Sequence, residues 1–289
     1  MRAKPAVPLA GQPLVSRILQ YVSRFDVRNC VVNLHHLPET ITARVGDGSD
    51  LGVQVRYSWE GPRVLGSAGG PRKALPLVGD ADFFIVNGDT LCDVDLTALA
   101  TQHAATGALV TMAVIENRWP ERYGGVVTDA RGNVYGFVPR GSPAAKYHFV
   151  GVQMAHPSVF AGLRVDEPAE STSAVYRALI AEKAGSIRAF LAAGDFHDVG
   201  TPADYLETAL SIGRMEGAAG PQIGRGSTID PSARVADSVL WEDVHVEAGA
   251  TLERCVVADG VHVPAGRSFS NCAIIQSGGK LVVAELNHG

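Results

Sequence analysis

The 289-residue sequence carries 25 Lys and Arg against 30 Asp and Glu, a net charge of -5, with 46% apolar residues. That length holds a substantial core in one large domain or two. The charge balance leaves no basic field for nucleic acid, and the absence of an 18-residue apolar run or signal-type segment predicts a cytoplasmic chain with no membrane partner.

From the start of the chain, Leu14, Val15, Ile18, Leu19 and Val22 recur with the period of a packed helix. CVVNL (30–34) reads as a short buried strand, followed by a polar turn and a short helix at ETITARVG. GVQVRYSW (52–59) alternates as a strand, and DFFIVNGD (82–89) is a buried strand ending in a turn at Asn87-Gly88. DLTALATQHAATG is a helix with a glycine stop, ALVTMAVI (108–115) another buried strand, and YGGVVTDARGNVYGFV a hairpin turning at Arg131-Gly132-Asn133. Helical stretches recur around 172–183 and 202–213. Strands alternating with helices predict a layered α/β domain over 1–212, built on a mostly parallel sheet.

A linker at 213–222 precedes a change of texture over 223–289. Aliphatic or aromatic residues then fall every five or six positions, from Ile223 and Ile229 through Leu240, Val246 and Leu252 to Ile274. VLWEDVHVEAGATL and VVADGVHVPAGRSF repeat at a 17-residue offset. Such regularity predicts stacked coils sharing one core, a short left-handed parallel β-helix. About three coils fit, so the unit needs support from the first domain or a second subunit, which admits a homo-oligomer. Trp241 is expected to cover an exposed end or face. His245 and His262 should point outward while their flanking valines point inward.

Three stretches carry candidate chemistry. Asp89 ends a buried strand beside flexible Gly88, where open α/β sheets collect ligands, although an Asx turn accounts for it equally well. In FHDVGTPADYL, Thr201 and Pro202 read as a helix N-cap and first position, with Asp204 in the first turn; the cap leaves Asp198 unexplained. Two carboxylates from distant strand ends can share one Mg2+ that also binds phosphate oxygens. His197 reads as a supporting neighbour or a packing residue. LGSAGGPRKAL (65–75) offers backbone N–H groups to an anion or a base edge, but it is not a Walker A loop. Lys4 reads as an ammonium for phosphates or as an ordinary surface lysine. The cysteines Cys30, Cys92, Cys255 and Cys272 form no metal-binding spacing or disulfide framework.

Taken together, AKPAVPLAGQPL (3–14), VVNLHHLPE (31–39), LGSAGGPRKAL (65–75), FIVNGDTLCDVDL (84–96), RYGGVV (122–127), YHFVGVQMAHPSVF (147–160) and FHDVGTPADYL (196–206) resemble the sugar-1-phosphate nucleotidyltransferases. The likeness is to the mannose-1-phosphate guanylyltransferase and N-acetylmuramate-1-phosphate uridylyltransferase group. It implies a Rossmann-like domain, often with a β-helix tail. It also implies transfer of a nucleoside monophosphate from an NTP, GTP or UTP, to a sugar 1-phosphate with release of pyrophosphate. By the resemblance, Lys4 steadies the phosphates, and Asp89 and Asp198 ligate Mg2+. Gly66, Ala68, Gly69 and Gly70 lie against the base, with Gly88 beside the metal turn. Tyr123, Gly124 and Phe149-Val150-Gly151 belong to the sugar side.

Two departures accompany the likeness. Relatives carry a strand and a G-x-G-T-R-L-x-P loop before the position of Lys4-Pro5; without them the opening reads as a truncation, and the strand at 30–34 is expected to lack a neighbour. At GFVPRGSP (136–143) many relatives place a Glu-Lys-Pro lysine on the sugar phosphate, where this chain offers Arg140, with Lys146 nearby. Two further readings stand beside transfer: a regulatory paralogue that binds nucleotide or NDP-sugar without transfer, and an acyltransferase role for the β-helix.

Overall fold

The computed structural model describes residues 1–287, so the last two positions of the 223–289 span lie outside the described residues. A 3-10 turn at Lys4–Ala6 leads into the short antiparallel strands β1 (Pro8–Leu9) and β2 (Gln12–Pro13). The elements that follow are α1 (Leu14–Ser23), β3 (Asn29–Leu34), α2 (Pro38–Val45), β4 (Gln54–Trp59), α3 (Gly66–Val78), β5 (Phe83–Val86) and β6 (Thr90–Cys92). They continue with α4 (Leu96–Thr106), β7 (Val110–Glu116), β8 (Gly125–Thr128), β9 (Val134–Val138), β10 (Tyr147–Ala155) and α5 (Ser158–Ala161). A π-turn at Ser171–Val175 enters α6 (Tyr176–Glu182), then come β11 (Ile187–Leu191), β12 (Phe196–Asp198) and α7 (Pro202–Met215).

The chain divides into two compact units, one of Ser16–Phe196 and one of Met1–Val15 with His197–Gly289. In the first, β7 lies between parallel β11 and antiparallel β10, and β10 also pairs antiparallel with β5 and β8. Strands β5, β7 and β11 therefore run one way, with β10 reversed among them, and β8–β9 closes the edge as the predicted hairpin. Val110, Met112, Val114, Phe160, Tyr176 and Ile187 form its sealed core. Parallel β3 and β4 form a separate pair. Among the described residues β3 has no other partner strand and β5 pairs with β10 alone, so Val31, Val32, Phe84 and Val86 are only half-buried.

In the second unit the predicted coils form. Short strands stack in parallel register 17 residues apart: Thr228 on His245, His245 on His262, and Thr251–Val257 on Ser268–Ser277. Val244, Val246, Leu252, Val257, Val261, Val263 and Ile274 are buried, while His245 and His262 face outward as the alternation required. Lys280–Glu285 turns back antiparallel on the last coil. The coils gain their support from α7 and from the opening residues. Trp241 is buried rather than capping an exposed face: its Nε1 donates to the Tyr205 hydroxyl at 2.9 Å, and the Arg2 guanidinium covers its ring. No described helix is long and apolar enough to cross a membrane.

Candidate functional site

The turn that carries Asp89 is built by its neighbours. After β5, the Asn87 N–H donates to the Gly151 carbonyl at 2.8 Å and buried Thr90 reaches the Val150 carbonyl. The register of β10 shifts between Phe149 and Gln153, and Gly151 sits inside that irregularity at φ +81°. A Cβ on Gly151 would lie 2.8 Å from Thr90 Oγ1 and 2.9 Å from Asn87 Cβ. Glycine is required there twice, for the left-handed backbone and for the close approach of the turn. The structure thus brings Gly88 and Asp89 together with Val150 and Gly151. Asp89 is half-exposed, whereas the Val150 side chain is fully buried and can present only its backbone to a ligand.

The stretch 65–75, expected to offer its backbone N–H groups to an anion or a base edge, is the start of α3, with Pro71 and Pro76 inside the helix. Its backbone donors are already engaged: Ala68 and Gly69 N–H both reach the Ala169 carbonyl, and the Ser67 hydroxyl donates to Glu170 Oε2. Ala68, Gly69 and Gly70 are buried. A Cβ on Gly69 would stand 2.7 Å from the Glu167 carbonyl, and one on Gly70 2.5 Å from Asn33 Nδ2. These glycines let α3 approach β3 and the 167–170 segment closely.

A second cluster of candidates gathers beyond the other end of β10. Tyr123 stacks on His148 at 4.2 Å and meets Phe196 edge-on at 5.7 Å, with the Arg122 guanidinium over its ring. Gly124 is exposed, and a Cβ on it would lie 2.9 Å from the Val138 carbonyl and 3.8 Å from the Arg140 nitrogen. Gly141 N–H donates to the Pro120 carbonyl and Asn117 N–H to that of Lys146, which folds the Arg140 loop against the Tyr123 loop. Arg140 and Lys146 are exposed, the latter over the Tyr147 ring. Sequence reasoning named Tyr123, Gly124 and Arg140 but passed over His148 and Phe196. Both lie within quoted stretches, and an aromatic pair beside a glycine-interrupted strand was the available signal.

In the other unit, Lys4 lies on its 3-10 turn with Nζ donating to the Gly200 carbonyl at 3.0 Å. Gly200 follows Asp198 by two residues, and a Cβ on it would stand 3.1 Å from Asp198 Oδ1. The Asp198 carbonyl accepts from Thr208 Oγ1 of α7. The predicted cap is present in full: Thr201 Oγ1 accepts from Asp204 N–H, and Asp204 Oδ2 accepts from Thr201 N–H. A lysine ammonium and the Asp198 segment therefore meet at one glycine. Neighbouring His197 has its Nε2 buried without a hydrogen-bond partner in this structure.

Comparison with known proteins decides what these residues belong to. The nucleotidyl transferase family model matches residues 1–214. The chain belongs to that family. A GlmU-like C-terminal hexapeptide model matches residues 218–274, in keeping with the left-handed β-helix, and the α/β nucleotidyltransferase domain precedes it. The chain is similar to a mannose-1-phosphate guanylyltransferase of Mycobacterium tuberculosis, at 26% identity over 278 residues, covering 87% of this chain and 77% of that one. It is similar at 41% identity over 95 residues to an N-acetylmuramate alpha-1-phosphate uridylyltransferase of Neisseria meningitidis, a match that takes in 33% of this chain and 41% of the relative. The fold is shared with HddC from Yersinia pseudotuberculosis, solved with GMP-PN, at a TM-score of 0.62 and 20% identity, covering 72% of this chain and 89% of that one.

Proposed function

We propose that this chain transfers a nucleoside monophosphate from GTP or UTP to a sugar 1-phosphate in the cytoplasm, yielding an NDP-sugar and pyrophosphate. The observation that carries the reading is the 3.0 Å contact of Lys4 Nζ with the Gly200 carbonyl, two residues from Asp198. It holds an ammonium against the backbone of the segment that carries Asp198, which supports the reading. The base choice is supported by the likeness to guanylyl- and uridylyltransferases.

In the reaction a sugar-phosphate oxygen attacks the α-phosphorus in line. One P–O bond forms, the bond to the departing pyrophosphate breaks, and no covalent enzyme intermediate is needed. Lys4 balances charge on the phosphates. Gly66, Ala68, Gly69 and Gly70 lie on the base side, Tyr123, Gly124, Val150 and Gly151 on the sugar side, and Arg140 offers a forked donor to the sugar phosphate. Among the described residues no three His, Cys, Asp or Glu are grouped to hold a metal alone. Mg2+ can bind through one or two carboxylates plus substrate phosphates and water. Asp89 and Asp198 are the carboxylates that would hold it, and the bound ion supplies charge neutralisation at the phosphates. The β-helix is read as a scaffold that also serves homo-oligomer contacts.

The test is pyrophosphate release with Mg2+ across five nucleoside triphosphates and a panel of hexose, heptose and N-acetylated sugar 1-phosphates. Release with GTP or UTP and one sugar, lost about 100-fold or more in Asp89→Asn and Asp198→Asn, is the expected result. Silence of the wild-type chain with every pair overturns the reading.

A further inference from the structure

Arg2 ties the opening segment to the β-helix through three hydrogen bonds. Its Nη2 donates to Glu242 Oε2 at 2.8 Å and to Asp259 Oδ1 at 2.6 Å, and its Nε donates to Asp259 Oδ2 at 2.8 Å. The side chain is 5% exposed and the guanidinium lies 5.4 Å from the Trp241 ring centroid. Glu242 and Asp259 are equivalent positions on successive coils, and the Glu242 N–H also donates to Asp259 Oδ1. Two carboxylates stacked so closely repel unless a cation joins them. A planar fork that bonds both does this with directional precision that an ammonium lacks.

The segment after Arg2 is held again six residues on. The Tyr205 hydroxyl donates to the Pro8 carbonyl at 2.6 Å and accepts from Trp241 Nε1. Between these two anchors runs the 3-10 turn, with Ala6 N–H on the Ala3 carbonyl and Val7 N–H on that of Lys4. A lysine stem samples many rotamers, and pinning the backbone on both sides narrows the space its ammonium can reach. A charge cluster of this kind adds little net stability for the desolvation it costs, while the forked arginine bonds add directional specificity.

We propose that Arg2 is a positioning residue: gripped by the β-helix acids Glu242 and Asp259, it sets the Lys4 turn for phosphate contact. The β-helix then takes part in transfer, with its second and third coils as the jig for Lys4. This inference rests on the transfer reading above.

The experiment compares wild-type protein with Arg2→Ala, Arg2→Lys and Asp259→Asn, by steady-state pyrophosphate release and by hydrogen exchange. Arg2→Ala should lower kcat by about 10- to 100-fold while the KM for the nucleoside triphosphate moves less than about threefold. Arg2→Lys should recover part of that loss. Asp259→Asn retains the arginine, keeps the question answerable if Arg2→Ala fails to fold, and should fall between the two. Exchange at Ala6 and Val7 should accelerate in Arg2→Ala and Asp259→Asn, with the Thr251–Val257 amides still protected. An active wild type whose variants keep kcat, or whose Ala6 and Val7 exchange does not change, overturns the inference and leaves the transfer reading standing. A wild type inactive with every substrate pair overturns the transfer reading and, with it, any positioning for transfer.

Discussion

The indole Nε1 of Trp241 donates to the Tyr205 hydroxyl at 2.9 Å, with the two rings edge-on at 6.2 Å and 83°. A coil of the β-helix and the helix that follows Asp198 are thereby joined through one buried phenol. Burial pushes the phenol's pKa far above its usual value, so it serves as a neutral donor and acceptor. Tyr205→Phe would leave both the Pro8 carbonyl and the Trp241 N–H without that partner. The expected cost is about 1–3 kcal/mol, read as a lower urea midpoint with an unchanged m-value.

Gly151 tests the Asp89 turn. In Gly151→Ala the new methyl meets Thr90 Oγ1 and Asn87 Cβ at under 3 Å while the backbone sits at positive φ. Both effects destabilise, together by about 2–4 kcal/mol, and both push on the turn that carries Asp89. A lowered unfolding temperature with transfer reduced at least about tenfold is expected; a variant with wild-type stability and rate would show that the turn tolerates the displacement.

His103 is expected to make the protein's stability depend on pH. Its ring is 3% exposed between Thr111 Oγ1 at 2.8 Å and Asp82 at 3.5 Å. Burial lowers its pKa below the usual histidine value, and the Asp82 carboxylate opposes that only in part. The unfolded chain therefore takes up a proton near pH 6.5 that the folded one refuses. The contribution to stability is present above that pH and is lost as pH falls towards the depressed folded value. Urea midpoints at pH 7.0 and 5.5 should show the decline, and His103→Gln should reduce it.

The thiols should divide by element. Cys255 and Cys272 are ladder partners on adjacent coils with Sγ atoms 3.7 Å apart, both buried. Burial, with Cys255 beside it, pushes the Cys272 thiol up to about 12, and burial raises Cys255 as well. Neither forms a useful thiolate population at pH 8. A chromogenic disulfide should label this pair only as fast as the coils unfold, while half-buried Cys30 and Cys92 react earlier. Full labelling of all four thiols within the native lifetime would contradict the packed ladder.

Local pattern carried much of the architecture. The stripe Leu14, Val15, Ile18, Leu19 and Val22 is the buried face of α1 because helical periodicity maps directly onto one side of a cylinder. The 17-residue repeat specified the coils and even the outward histidines, because a parallel ladder repeats the same inward and outward positions in each turn. Thr201, Pro202 and Asp204 announced α7, since a cap is satisfied within four residues of chain. The same locality misled at 65–75, where three glycines suggest backbone N–H groups open to a ligand. Their neighbours at Asn33, Glu167 and Ala169 make it a helix, rewarding the missing side chains with close packing.

What only the tertiary structure decided is which distant residues share a frame. Arg2 and Asp259 are 257 positions apart, and nothing in either's surroundings in the chain pairs them. Gly151 reads as an ordinary strand residue until the Asn87–Thr90 turn closes on it. Composition and period are properties of short windows, whereas an ion pair or a close approach exists only once separate windows have been folded together. The sequence by itself thus determined the α/β layering, the repeat and the candidate chemistry. The packing of Arg2 against the coils and the contact of Lys4 with the Gly200 carbonyl belong to the folded chain.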